Sequence, residues 1–79
     1  MPEQVRVLLP AHLRHYNDGD EELALPWVEG ATLAHYLEVL GIPEHEFMGI
    51  VLDGELSADR TRVPDSGSTI ELVPAMSGG

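Results

Sequence analysis

Few residues in this 79-residue sequence have the type and spacing to do chemistry alone. There is no cysteine, so no thiolate nucleophile, disulfide or Cys-based metal site is available. His12 and His15 stand at H-x-x-H spacing, which can bring two imidazoles together on a helical turn. No third ligand accompanies them, so a surface pair is the better reading and no metal is expected. His35 and His45 are isolated and expected in solvent. Glu44 and Glu46 flank His45 in what reads as a charged loop rather than an acid–base site. No glycine-rich phosphate loop or nucleophile elbow occurs. What remains is the end of the sequence, V-P-A-M-S-G-G. Gly78 and Gly79 have no side chains, so their backbone can approach another surface closely and take torsions closed to other residues. A Gly-Gly pair alone would be a frayed terminus. Here it follows a strand-like segment that stops at Pro74, which makes the Gly79 carboxylate the group to consider.

The rest of the composition narrows what such an end could serve. A chain of 79 residues is one domain with a thin core, and it has little room for a deep enclosed active site. That favours a binding or carrier module over an autonomous enzyme. The formal net charge is -10, with 14 acidic residues against four arginines and no lysine. This balance argues against nucleic acid, whose phosphates need a basic footprint, and against an anionic membrane surface. It suits a basic protein partner reached by electrostatic steering. MPEQVRV lacks a basic region followed by an apolar run, so no signal peptide is expected, and no apolar stretch reaches membrane-spanning length. A reducing cytoplasm is the expected location.

Several elements must position the tail. Val5 to Leu9 reads as a strand with Val5, Val7 and Leu9 on one face and Arg6 and Leu8 on the other. Pro10 stops it, and a short helical turn and an Asn17-Asp18-Gly19-Asp20 turn follow. Glu22 to Leu25 reads as a second strand, ended by Pro26 and paired antiparallel with the first. Thr32 is a plausible helix N-cap; Leu33, Tyr36, Leu37 and Leu40 then form an apolar stripe, and Gly41 and Pro43 end the helix. Trp27 is expected to be partly buried beside this helix. Gly49 to Leu52 reads as an apolar strand before the Asp53-Gly54 turn. Residues 55 to 64 show no clear pattern. Thr69 to Val73 reads as the last strand, and Pro74 ends it.

The order of two strands, one helix and later strands predicts an α+β β-grasp (ubiquitin-like) fold: one mixed sheet, a helix packed across it and a free C-terminal tail. Residues 1–73 form the β-grasp domain and 74–79 a flexible tail ending in Gly-Gly. The first and last strands should lie side by side and parallel. If Leu72 faces the helix, alternation turns Val73, Leu8 and Val51 to the other face, as an apolar patch beside the tail.

The sequence resembles the MoaD/ThiS family of sulfur carriers over essentially its whole length. The resemblance is carried by V-R-V-L-L-P-A-H-L-R, G-A-T-L-A-H-Y-L-E-V-L-G, V-L-D-G-E and D-S-G-S-T-I-E-L-V-P-A-M-S-G-G. It is nearer to the molybdopterin-synthase small subunit and the bacterial cysteine-synthesis carrier than to the thiazole carrier. Pro26-Trp27 is unfamiliar there, and Met76 stands where a small aliphatic is commoner. The resemblance implies a C-terminal thiocarboxylate on Gly79, made after ATP-dependent adenylation by a ubiquitin-activating-type (E1-like) enzyme. ATP would belong to that enzyme, and no permanently bound cofactor is expected. Gly78 would serve threading into partner sites, and Leu8, Val51, Val73 and Met76 would bind partners. Those partners would be the adenylating enzyme, a sulfur-donor enzyme and an acceptor such as a molybdopterin synthase large subunit or a cysteine synthase. Residues 74 to 79, fully extended, reach on the order of 20 Å, enough to insert the tip while the body docks outside. The sulfur could end in molybdopterin, cysteine, thiazole or thiolated tRNA. A protein modifier joined through Gly79, or a binding-only β-grasp module, are the competing readings.

Overall fold

The computed structural model describes residues 3–57 and 59–74. β1 (Gln4–Leu8) alternates exposed and buried as its sequence does. A seven-residue 3-10 helix, Ala11–Asn17, follows and ends at Asp18, which takes the left-handed conformation at φ 51°. β2 (Glu22–Pro26) returns antiparallel to β1, with Val5 opposite Leu25. α1 (Leu33–Leu40) starts at Thr32, whose hydroxyl accepts from the His35 N–H, and ends at Gly41 with φ 71°. A short 3-10 turn, Glu44–Glu46, leads into β3 (Phe47–Leu52), β4 (Glu55–Ser57) and, after a loop, β5 (Thr69–Pro74).

The five strands form one mixed sheet in the order β2-β1-β5-β3-β4. β1 and β5 are parallel, and the other neighbours are antiparallel. This is the expected β-grasp arrangement, with the last strand at the centre of the sheet. α1 buries Leu33, Tyr36 and Leu37 in one cluster with Val5, Val7, Ile50, Leu52, Ile70 and Leu72 of the sheet. Tyr36 is buried without stranding its hydroxyl, which accepts from Val28 N at 3.0 Å. Trp27, half-buried against the same cluster, donates from Nε1 to the Pro64 carbonyl at 2.9 Å and so ties the loop before β5 to the domain. The first amides of α1 are met by that loop too: Leu33 N donates to Arg62 O at 2.9 Å and Ala34 N to Arg60 O at 3.1 Å.

Several boundaries differ from the expectation. β1 begins at Gln4 and ends before Leu9, which is buried outside the strand. β2 keeps Pro26 because it is an edge strand, where a missing N–H faces no neighbour. β5 keeps Pro74, opposite Phe47, as its last residue rather than stopping before it. β3 starts two residues early, with an irregularity between Phe47 and Gly49 that hid its alternation. The unassigned stretch contains β4, too short to show a period. The helical turn after Pro10 is longer than expected and drives Leu13, fully buried, into the core. The expectation of a flexible tail falls on residues outside those described, apart from Pro74.

Leu13 therefore makes the 3-10 helix part of the core. Leu13→Ala should destabilise the domain by about 2–4 kcal/mol. At about 4–8 °C per kcal/mol for a domain of this size, thermal melting should fall by roughly 10 °C or more. An unchanged melting temperature would show that the segment is peripheral.

Candidate functional site

The root of the tail is held from both ends of β5. At its start, the Asp53-Gly54 turn between β3 and β4 places Asp53 at φ 50° and Gly54 at φ 86°. Two positive φ values in a two-residue turn explain why this dipeptide stands there. Held so, Asp53 accepts from Thr69 N at 2.8 Å and from the Ser68 hydroxyl at 2.9 Å, and its own N–H donates to Thr69 O at 2.9 Å. The buried Ser68 hydroxyl in turn accepts from Asp65 N at 3.0 Å. At its end, β5 lies between β1 and β3 until β1 turns away, and Pro74 reaches the rim of the sheet opposite Phe47. A shallow cleft opens there, lined by Leu9, Pro10, Arg14, Glu21, Glu71 and Pro74. Arg14 donates to the Leu9 carbonyl at 3.2 Å and to Glu21 at 3.4 Å.

Leu8, Val51 and Val73 lie half-buried on the sheet face turned away from α1, as strand alternation requires. They do not form one continuous patch. Leu8 and Val51 share a row with Glu71, which stands between them on β5. Val73 lies one pair further on, opposite Gly49. The apolar surface extends instead toward β4. Leu56 pairs with Val51 and is 74% exposed. A Cβ at Gly49 would stand 3.2 Å from Leu56 Cδ1 and 3.9 Å from Val73 Cβ, so the bare glycine lets Leu56 reach toward Val73. The sequence pattern does not place Leu56 or Gly49 at this patch, although the Asp53-Gly54 turn fixes the register that puts Leu56 beside Val51. Arg6 and Glu22 form an exposed ion pair on the same face, and the Glu22 carboxylate pushes the Arg6 guanidinium pKa up. Met76, Gly78 and Gly79 lie outside the described residues.

Several other polar groups have structural partners. His12 Nε2 is 3.1 Å from the Glu46 carbonyl, His15 packs on Tyr16, and His45 lies 3.6 Å from Glu46. No three His, Asp or Glu among the described residues are grouped to hold a metal ion. Thr61 donates from its hydroxyl and its N–H to Asp59, which holds that carboxyl below the usual carboxylate range. No helix among the described residues is long and apolar enough to cross a membrane.

Residues 7–79 match the model of the ThiS family, and the chain belongs to it. No curated protein matches the chain closely enough to be named as a relative. Members of the family are small sulfur carriers, β-grasp in fold, that work with partner enzymes in sulfur transfer rather than acting as enzymes.

Because Asp53 anchors the strand that carries the tail, Asp53→Ala should cost about 1–3 kcal/mol by leaving Ser68 and the Thr69 amide without their acceptor. Asp53→Asn, which keeps an acceptor and tolerates a positive φ, should cost less. Urea denaturation reads both, and wild-type stability in the alanine variant would contradict the anchoring role.

Proposed function

We propose that this member of the ThiS family carries sulfur as a thiocarboxylate on Gly79. The observation that supports it best is the placement of β5. It is the central strand, braced at Asp53, and its last residue, Pro74, stands at the sheet rim directly before A-M-S-G-G. Five further residues extend at most about 17 Å from that root. A rigid body thus carries a reach long enough to enter a partner's active site, with Gly79 as the working terminus.

The chemistry follows from the weakness of a carboxylate as an acyl donor. One carboxylate oxygen attacks the α-phosphorus of ATP, and pyrophosphate leaves. The acyl-adenylate now has AMP as a good leaving group. Hydrosulfide delivered by a donor enzyme attacks the acyl carbon, AMP leaves, the sulfur loses its proton, and the product is Gly79–COS⁻. An adenylating enzyme of the ubiquitin-activating type supplies ATP and the site for the first step. Gly78 gives the backbone the freedom and narrowness to thread that site. The sheet face with Leu8, Val51 and Val73 docks the body outside, and Met76 contacts the channel on the way in. The acceptor is then an enzyme of molybdopterin, cysteine, thiazole or tRNA-thiolation chemistry. No cofactor stays on the carrier.

Deleting Gly79, or Gly78→Val, should abolish ATP–pyrophosphate exchange by the activating enzyme while leaving the melting temperature unchanged. Both variants should inhibit wild-type loading competitively, because the docking face is intact. Exchange at the wild-type rate by the deletion would show that the Gly79 carboxylate is not the reacting group.

A further inference from the structure

One row of residues crosses all five strands on the outer face: Glu22, Leu8, Glu71, Val51 and Leu56. Glu22 at one edge is paired with Arg6. Glu71 stands in the middle with Leu8 on one side and Val51 on the other, and Val73 follows two residues on along the same face. The Glu71 residue is exposed, and its carboxylate has no hydrogen bond or ion pair among the described residues. The four arginines are engaged elsewhere. Arg6 holds Glu22, Arg14 holds Glu21, Arg60 lies over the Phe47 ring at 5.2 Å, and Arg62 sits beside Asp59. There is no lysine. Arg14 shares the cleft at the tail root with Glu71, yet its guanidinium donates to Glu21 and the Leu9 carbonyl.

A protein that covers Leu8, Val51, Leu56 and Val73 must also strip water from Glu71, because it lies among them. A carboxylate desolvated without a partner is strongly unfavourable, and one met by a cation with good hydrogen bonds is tolerated. We infer that Glu71 is the specificity-determining charge of this face, and that the partner is a protein surface with an apolar floor and an arginine or lysine placed opposite it. The inference rests on the carrier reading above and names the chemistry of the enzyme that reading requires. A guanidinium fits best, since it is flat, weakly hydrated and able to grip both carboxylate oxygens. A second copy of the chain does not fit. Two faces meeting across a twofold axis would set Glu71 against its own kind, between two bodies of net charge -10 each. An anionic lipid or nucleic acid surface would meet the same repulsion.

The distinguishing variant is Glu71→Leu. Were the face simply apolar, removing its central charge would leave binding unchanged or tighter. With a cation opposite, Glu71→Leu strands that cation and weakens binding, and Glu71→Gln weakens it as well. The experiment measures loading of wild type, Glu71→Gln, Glu71→Leu and Val73→Asp by the ATP-dependent activating enzyme from the same source, with melting temperatures alongside. The expected result is a KM for the carrier raised about 30-fold or more in both Glu71 variants, with kcat nearly unchanged because the tail is intact. Val73→Asp, which puts a second charge into the same contact, should weaken binding too. If Glu71→Leu fails to fold, Glu71→Gln decides. Wild-type KM in the folded Glu71→Leu or Glu71→Gln variant overturns the inference while leaving the carrier reading in place. A wild-type protein that is not loaded at all counts against the carrier reading, and with it against this one.

Discussion

The parallel pairing of β1 with β5, Val7 beside Ile70 and Leu8 beside Glu71, joins segments from opposite ends of the sequence. Parallel neighbours cannot be joined by a tight turn, so everything between them is in effect their crossover. α1 is the part of that crossover which covers the inner face, and Val5, Val7, Ile70 and Leu72 are the residues it covers. β2 and β3 then pair on the outer edges of the same two strands. Closing so long a connection costs chain entropy before any contact rewards it. The compensation is the buried cluster, which closes only when β5 lies in the centre. In this domain the strand that carries the tail is also the strand on which the core depends.

That coincidence links stability to function. The strand that leads to the tail is paired with β1 as far as Glu71 and with β3 as far as Pro74, so it is held within the sheet to its last residue. The outer face of the same strand carries Glu71 and Val73, so the surface that a partner would read and the root of the tail are a few residues apart on one rigid element. The Asp53 carboxylate reinforces the arrangement by joining the β3–β4 turn to the first residue of β5. The acidity of the chain favours encounter with a basic partner without specifying one, while Glu71, set among apolar residues, has the geometry to be specific.

Much of this was legible in the residues. The stripe of α1, its Thr32 and Gly41 caps, and the alternation of β1 and β5 each follow from simple periodicity, and together they imply the sheet order. What escaped depends on tertiary context. β4 is too short for any period to show. Leu13 looks like a loop residue until the 3-10 helix folds it inward. The irregularity at Met48 breaks the alternation of β3, so periodicity alone does not reach Phe47, which is buried. The patch was correctly oriented but incompletely drawn. Alternation tells which face a residue takes, but it does not tell that β5 sets Glu71 between Leu8 and Val51. The tail is marked by its glycines, by its position after β5 and by the family likeness, and the family match extends through Gly79.

Sulfur carriage turns on a single atom of the Gly79 carboxylate. Intact-mass measurement of the protein after incubation with its activating enzyme, ATP and a sulfur donor addresses it directly. The expected product is a species heavier by the difference between one sulfur and one oxygen, lost again when an acceptor enzyme and its substrate are added. A protein whose mass stays unchanged under conditions where the enzyme is active, or one that gains amide-linked adducts with no thiocarboxylate, would contradict it.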